Sequence, residues 1–151
     1  MSPLSRLHET SKVLANRARL RILAALDGHE LCVLQVAAIF DIARSTASEH
    51  LTALRKSELV VERRDGRFVF YSLSPEERPR RFLDVVLGEV ASDTAVKKDR
   101  EMTAKVLSLP HELVCEHGRA ALDVARRVEP AEGEPRKNPC TNPNTDPKEA
   151  P

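Results

Sequence analysis

The apolar pattern of the chain changes period twice, from helical to strand-like and back. Over residues 3–14, Leu4, Leu7, Ser11 and Leu14 share one helical face, and Asn16 then stands where an N-cap for a second helix belongs. That helix is predicted over 17–26, with Leu20, Leu23 and Leu26 facing inward. Asp27-Gly28 ends it, because glycine accepts the left-handed conformation of a helix stop. A third helix is predicted over 31–40 and a fourth over 44–57, the latter with Ala47, Leu51 and Leu54 as its buried stripe. The short connection Asp41-Ile42-Ala43 forces these two to cross steeply, as in a helix-turn-helix. The period then drops to that of strands over 59–64 and 67–73, joined by the hairpin signal Asp65-Gly66. Helical spacing returns after Pro75 and Pro79, in a helix over 80–90 marked by Phe82, Leu83, Val86, Leu87 and Val90. It continues over 94–107 and in a last helix that starts at Ser108-Leu109-Pro110 and reaches Val128. From Glu129 onward Pro, Glu, Lys and Asn dominate, the composition of a disordered tail.

With one Tyr, four Phe and no Trp, the core of this 151-residue chain must rest on Leu, Val, Ile and Ala packed at helical spacing. The net charge of +1 decides nothing about nucleic acid, since only charge gathered on one face counts there. The distribution is more telling. Arg44, Ser45, Thr46, Ser48, Glu49 and His50 lie in the N-terminal part of the fourth helix, with Arg55 further along it. Those are positions that reach base edges when a recognition helix enters the major groove of operator DNA. Arg63, Arg64 and Arg67 cluster at the tip of the hairpin, where long cationic side chains meet phosphates or the minor groove. Glu49 either accepts from a cytosine amino group or closes a local capping box with Thr46, and Ala43 leaves the helix without a capping hydroxyl.

No apolar run approaches the roughly 18 residues of a membrane span, and the N-terminus has no signal-peptide core, so the expected address is cytoplasmic with no membrane partner. Cys32, Cys115 and Cys140 are odd in number and far apart, which fits reduced thiols. No phosphate loop, paired-carboxylate site or nucleophile-base arrangement is recognisable, so neither an enzyme nor an organic cofactor is expected.

From Lys12-Val13-Leu14-Ala15-Asn16 to Leu73 the chain resembles the ArsR/SmtB family of metal- and metalloid-sensing bacterial repressors. The stretch covers about sixty residues. Arg19-Leu20, Ile22-Leu23, Glu30-Leu31-Cys32-Val33, Ser48 with His50-Leu51, Leu54-Arg55 and Arg63-Arg64-Asp65-Gly66-Arg67 fall in the family's order. The resemblance implies a homodimer that holds a pseudo-palindromic operator when ligand-free and leaves it when a thiophilic metal or metalloid binds. The expected fold class is therefore mainly α with a small β-hairpin wing, a dimeric winged helix-turn-helix. Residues 1–92 would read DNA and dimerise, 93–128 would form a helical extension, and 129–151 the Pro-rich tail.

Arsenic-sensing relatives follow Glu-Leu-Cys-Val with a second cysteine, but here Leu34 stands in its place, so the two-thiol clamp cannot be carried over. Trivalent arsenic and antimony are soft and favour three thiolates, and Cys32, Cys115 and Cys140 are the three available. Closing the loop from Cys115 to Cys140 costs on the order of 3 kcal/mol, which thiolate coordination exceeds. His111 and Cys115, four apart with His117 near, leave a zinc-type N/S site as a weaker alternative. Zinc-sensing relatives use carboxylates and histidines on the helix after the wing, which here holds Asp84 and Glu89 but no histidine, so zinc is disfavoured. Two other readings keep the fold: a thiol redox or persulfide switch, and a ligand-independent DNA-binding module.

Overall fold

The computed structural model describes residues 1–127. Helices α1 (Pro3–Leu14) and α2 (Arg17–Ala25) meet at Asn16, whose side chain accepts from the Arg19 N–H at 3.1 Å. Removing that acceptor orphans one of the first N–H groups of α2. Asn16→Ala is therefore expected to cost about 1 kcal/mol in urea unfolding, and a loss below a few tenths would contradict the capping role.

The predicted third helix begins later than its periodicity suggests. Leu31 and Cys32 form a short strand, β1 (Leu31–Cys32), opposite Tyr71 and Phe70, and only then does α3 (Val33–Phe40) start. Two apolar residues in a row fit a buried strand as well as a helix, and here the ladder to the wing takes them. Asp41, with φ 53°, closes α3, and α4 (Arg44–Lys56) follows from Ala43, which offers no side-chain cap. Because Thr46 sits inside the first turn of α4, it is not an N-cap, and the capping-box reading of Glu49 falls away.

The wing is β2 (Val60–Asp65) and β3 (Phe68–Leu73), antiparallel from Val60 opposite Leu73 to Asp65 opposite Phe68. Gly66 and Arg67 form its two-residue loop, and the positive φ of Gly66, 57°, suits the first position of a type II′ turn. Strand order is β1-β3-β2, so β3 is central, paired with β1 along one edge and β2 along the other.

Next come α5 (Glu77–Val90), α6 (Thr94–Leu107), α7 (His111–His117), a 3-10 turn (Gly118–Ala120) and α8 (Ala121–Arg127). The single last helix expected from the sequence is thus broken, at Gly118, whose φ 54° and ψ −132° suit only glycine. Ile22, Leu23, Leu26, Val36, Leu51 and Leu54 form the centre of the core, and Leu83, Leu87, Val96, Val106 and Val114 from the later helices join it. Leu4 (77% exposed), Leu7 and Val85 (67%) stay outside it on α1 and α5. Among the described residues no helix is long and apolar enough to cross a membrane.

Candidate nucleic-acid interface and thiol site

Packing of α4 on α3 leaves one face of α4 outside the core. Ala47, Leu51 and Leu54 point in, Arg44, Ser45, Glu49 and Arg55 are exposed, and Thr46, Ser48 and His50 are half-buried. Burial and the nearby Arg19 push His50 below the ordinary imidazole range, against the pull of Glu49, so near pH 7 it offers a neutral donor and acceptor. Arg55 pairs with Glu62 at 3.6 Å.

The wing arginines fall into two groups. Arg63 is held by Glu30 at 2.9 Å, faces Asp65 at 3.7 Å and lies 5.2 Å over the Phe70 ring, which builds it into the base of the wing. Arg64 and Arg67 are exposed, and the Arg67 guanidinium lies 5.2 Å over Phe68. Among the described residues no ion pair ties Arg44, Arg64 or Arg67. Uncommitted cations at the start of α4 and at the wing tip are what a phosphate backbone requires.

The thiols sit on other elements, Cys32 at the start of α3 and Cys115 on α7. Cys32, 3% exposed, is the N-cap of α3, and its N–H donates to Gln35 Oε1 at 2.9 Å. Its Sγ lies 3.4 Å from His111 Nε2, although 79 residues separate them. One turn after His111 on α7, Cys115 Sγ lies 3.6 Å from Nδ1 and 3.8 Å from Nε2 of the same ring. The structure thus brings Cys32 and Cys115 together around one imidazole. Cys140 lies outside the described residues.

His111 is 6% exposed, with Phe68 edge-on at 4.5 Å and Phe70 tilted at 5.5 Å. Burial pushes it below its ordinary range, against Glu112, so the ring is neutral. Burial likewise raises the Cys32 thiol, while backbone N–H groups of Gln35 and Leu34 and the charge of Arg44 favour its thiolate. Cys115 is raised by burial first and then by Cys32 and Glu112, with Arg67 and Arg44 opposing. Both thiols therefore rest protonated, and a soft ligand that binds them must displace protons. Among the described residues no group of three or more His, Cys, Asp or Glu side chains is arranged to hold a metal ion.

Sequence reasoning gave His111 a part only in the zinc-type alternative with Cys115, and the spacing of four was the available signal. Arg119 carried no signal at all. Its Nη1 donates to the carbonyls of Ala38 and Ile39 at 3.4 Å, near the end of α3. The C-terminal segment therefore grips α3 at both ends, through His111 on Cys32 and through Arg119.

Residues 16–61 match the family model described as bacterial regulatory protein, arsR family. The chain is 44% identical over 66 residues to a transcriptional repressor SmtB homolog of Synechocystis, covering 44% of this chain and 50% of that one. It is 38% identical over 60 residues to the arsenic resistance transcriptional regulator ArsR1 of Pseudomonas putida, covering 40% and 46%. The chain spans about half the length of these curated relatives. Among solved structures it resembles the homodimeric winged helix-turn-helix DNA-binding domain (fragment 1-100) of a possible ArsR-family regulator from Mycobacterium bovis. That likeness has a TM-score of 0.53 and 31% identity, and covers 60% of this chain and 83% of that one. The helix-turn-helix, the wing and these likenesses agree: the chain belongs to the ArsR/SmtB family of bacterial transcriptional regulators.

Proposed function

We propose that the protein is a cytoplasmic homodimeric repressor that holds a pseudo-palindromic operator and releases it when trivalent arsenic or antimony binds Cys32, Cys115 and Cys140. The observation that carries the sensing half is the meeting of Cys32 and Cys115 at the start of α3, one short connection from α4. Two soft donors are then in place, and Cys140 would complete the three that a trivalent metalloid prefers. His111 holds both thiols in the resting state. Loss of their protons on binding breaks that hydrogen-bonded bridge between α7 and α3, and so alters the seat on which α4 rests.

Arg44, Ser45, Thr46, Ser48, Glu49, His50 and Arg55 would face the major groove, with Arg63, Arg64 and Arg67 along the adjacent backbone. The exposed Leu4, Leu7 and Val85 support dimerisation, because paired copies would remove this apolar surface from water. Half-sites about 10 base pairs apart follow from a two-fold axis.

The test is operator binding by the wild type and by each single Cys→Ser variant, titrated with arsenite, antimonite, zinc and cadmium. Arsenite is expected to release the wild type, and Cys32→Ser to need at least about tenfold more of it, since even outer-sphere changes at metal sites cost that much. A Cys32→Ser variant that responds like the wild type would rule out the proposed sensor. The same closeness of the two thiols supports a second reading, a redox or persulfide bridge between Cys32 and Cys115. Reversible cross-linking on mild oxidation, with DNA release but no response to arsenite, would favour it.

A further inference from the structure

A cavity of about 520 Å³ is lined by both thiols and, from two other elements, by Arg44 and Arg67. Cys32 is buried and Cys115 half-buried, whereas both arginines are exposed, so the sulfurs lie deeper than the guanidinium groups. Arg44 is the first residue of α4, and Arg67 belongs to the wing loop. These are two of the three uncommitted cations of the candidate DNA face. Glu116 shares the lining, so the arginines already have a carboxylate within the same space. Packed rings also link the two ends: His111 touches both sulfurs, Phe68 meets His111 edge-on at 4.5 Å, and Arg67 lies 5.2 Å over Phe68.

We propose that Arg44 and Arg67 couple the two sites within one subunit, because filling the thiol cavity displaces the same two side chains that the DNA backbone requires. This rests on the reading that α4 and the wing bind DNA. An occupant bonded to the sulfurs displaces the His111 ring that touches both of them, and with it Phe68, which packs edge-on against that ring. Arg67 moves with its ring platform. Arsenite condenses with the protonated thiols, each As–OH and S–H giving an As–S bond and water, and a maleimide forms a neutral thioether. Either occupant therefore acts by displacing the rings and the two guanidinium groups that share the lining, not by adding charge. The coupling is reciprocal, so bound DNA must weaken occupancy of the cavity by the same factor.

The experiment measures affinity for a fluorescein-labelled mixed-sequence duplex at low ionic strength, where phosphate contacts alone hold a basic face. Full-length wild type and the double variant Arg44→Gln with Arg67→Gln are compared with the cavity empty and filled. Two probes fill it: arsenite, and N-ethylmaleimide attached to Cys115 in a Cys140→Ser background, with the adduct confirmed by peptide mass. Salt is lowered for the double variant until its empty form binds as tightly as the wild type. In the wild type, filling is expected to weaken binding about tenfold, within the usual span of allosteric coupling. In the double variant the ratio of empty to filled affinity is expected to fall to about one.

A double variant that keeps the wild-type ratio would overturn the proposal, since the arginines would then be DNA contacts without a coupling role. Release by the maleimide adduct but not by arsenite, lost in the double variant, would support the coupling while defeating the metalloid reading. No change with either probe would overturn the coupling and leave DNA binding standing. Failure of the wild type to bind the duplex at any salt concentration would defeat the DNA reading and the coupling with it.

Discussion

Leu51→Ala is expected to lower the unfolding free energy by about 3.5 kcal/mol, the midpoint for truncating a fully buried leucine that leaves a cavity. Leu51 is completely buried and sits mid-way along α4, where that helix packs on α2, α3 and the first wing strand. Its truncation opens a cavity in the core that the rigid neighbours cannot close. The check is urea unfolding at one fixed protein concentration, since association would otherwise shift the midpoint. Glu49→Ala, on the exposed side of the same helix, is the control and should change stability by less than about 0.5 kcal/mol. A loss below about 1 kcal/mol for Leu51→Ala would mean that α4 is not seated as described. Because the same helix carries the candidate DNA contacts, the variant should also bind DNA more weakly at temperatures where the folded fraction has fallen.

The parts of this architecture that could be read from the chain are those encoded within a few residues. Asn16 announces the start of α2, the β-branched and aromatic run Phe68–Leu73 beside Asp65-Gly66 announces a strand, and Leu51 and Leu54 announce the buried side of α4. Each depends on backbone chemistry or periodicity that acts locally. Leu31-Cys32 was misread as helix because its strand identity comes from Tyr71 and Phe70, some forty residues away. The break at Gly118 was missed because a lone glycine within a helical pattern is often tolerated.

The candidate site divides along the same line. Arg44 and the wing arginines were visible because a recognition helix and a hairpin tip have local signatures. Cys32 and Cys115 were visible as soft donors by residue type, and His111 as a neighbour of Cys115, but its contact with Cys32 was not. His111 reaches Cys32 only because α7 folds back over the start of α3, and no local pattern specifies that. Arg119 on the α3 carbonyls is a contact of the same kind.

The packing of α2 on α6 rests on a pair that had no sequence signal, and its removal carries the second large expected effect. Arg21 donates from Nε and Nη2 to the two carboxylate oxygens of Asp99, each at 2.7 Å, and its guanidinium lies 5.5 Å over Phe40 at the end of α3. The two partners are unequal in burial, the Asp99 side chain being 7% exposed and Arg21 36%. Breaking a fully buried pair costs about 3–5 kcal/mol. Water reaches the outer part of Arg21, so for Arg21→Ala the figure is reduced to about 2–3 kcal/mol. Most of that is the penalty of leaving the Asp99 carboxylate buried without its cation. Asp99→Asn should cost less, because the abandoned guanidinium can turn to solvent and the amide still accepts one hydrogen bond. Urea unfolding of both variants at one concentration decides the matter. Equal losses, or a larger one for Asp99→Asn, would show that the stability lies in the packing of α2 on α6 and not in the buried charge. The predicted asymmetry also bears on α3, since Arg21→Ala alone removes the cation over Phe40 and should loosen the end of the helix that positions α4.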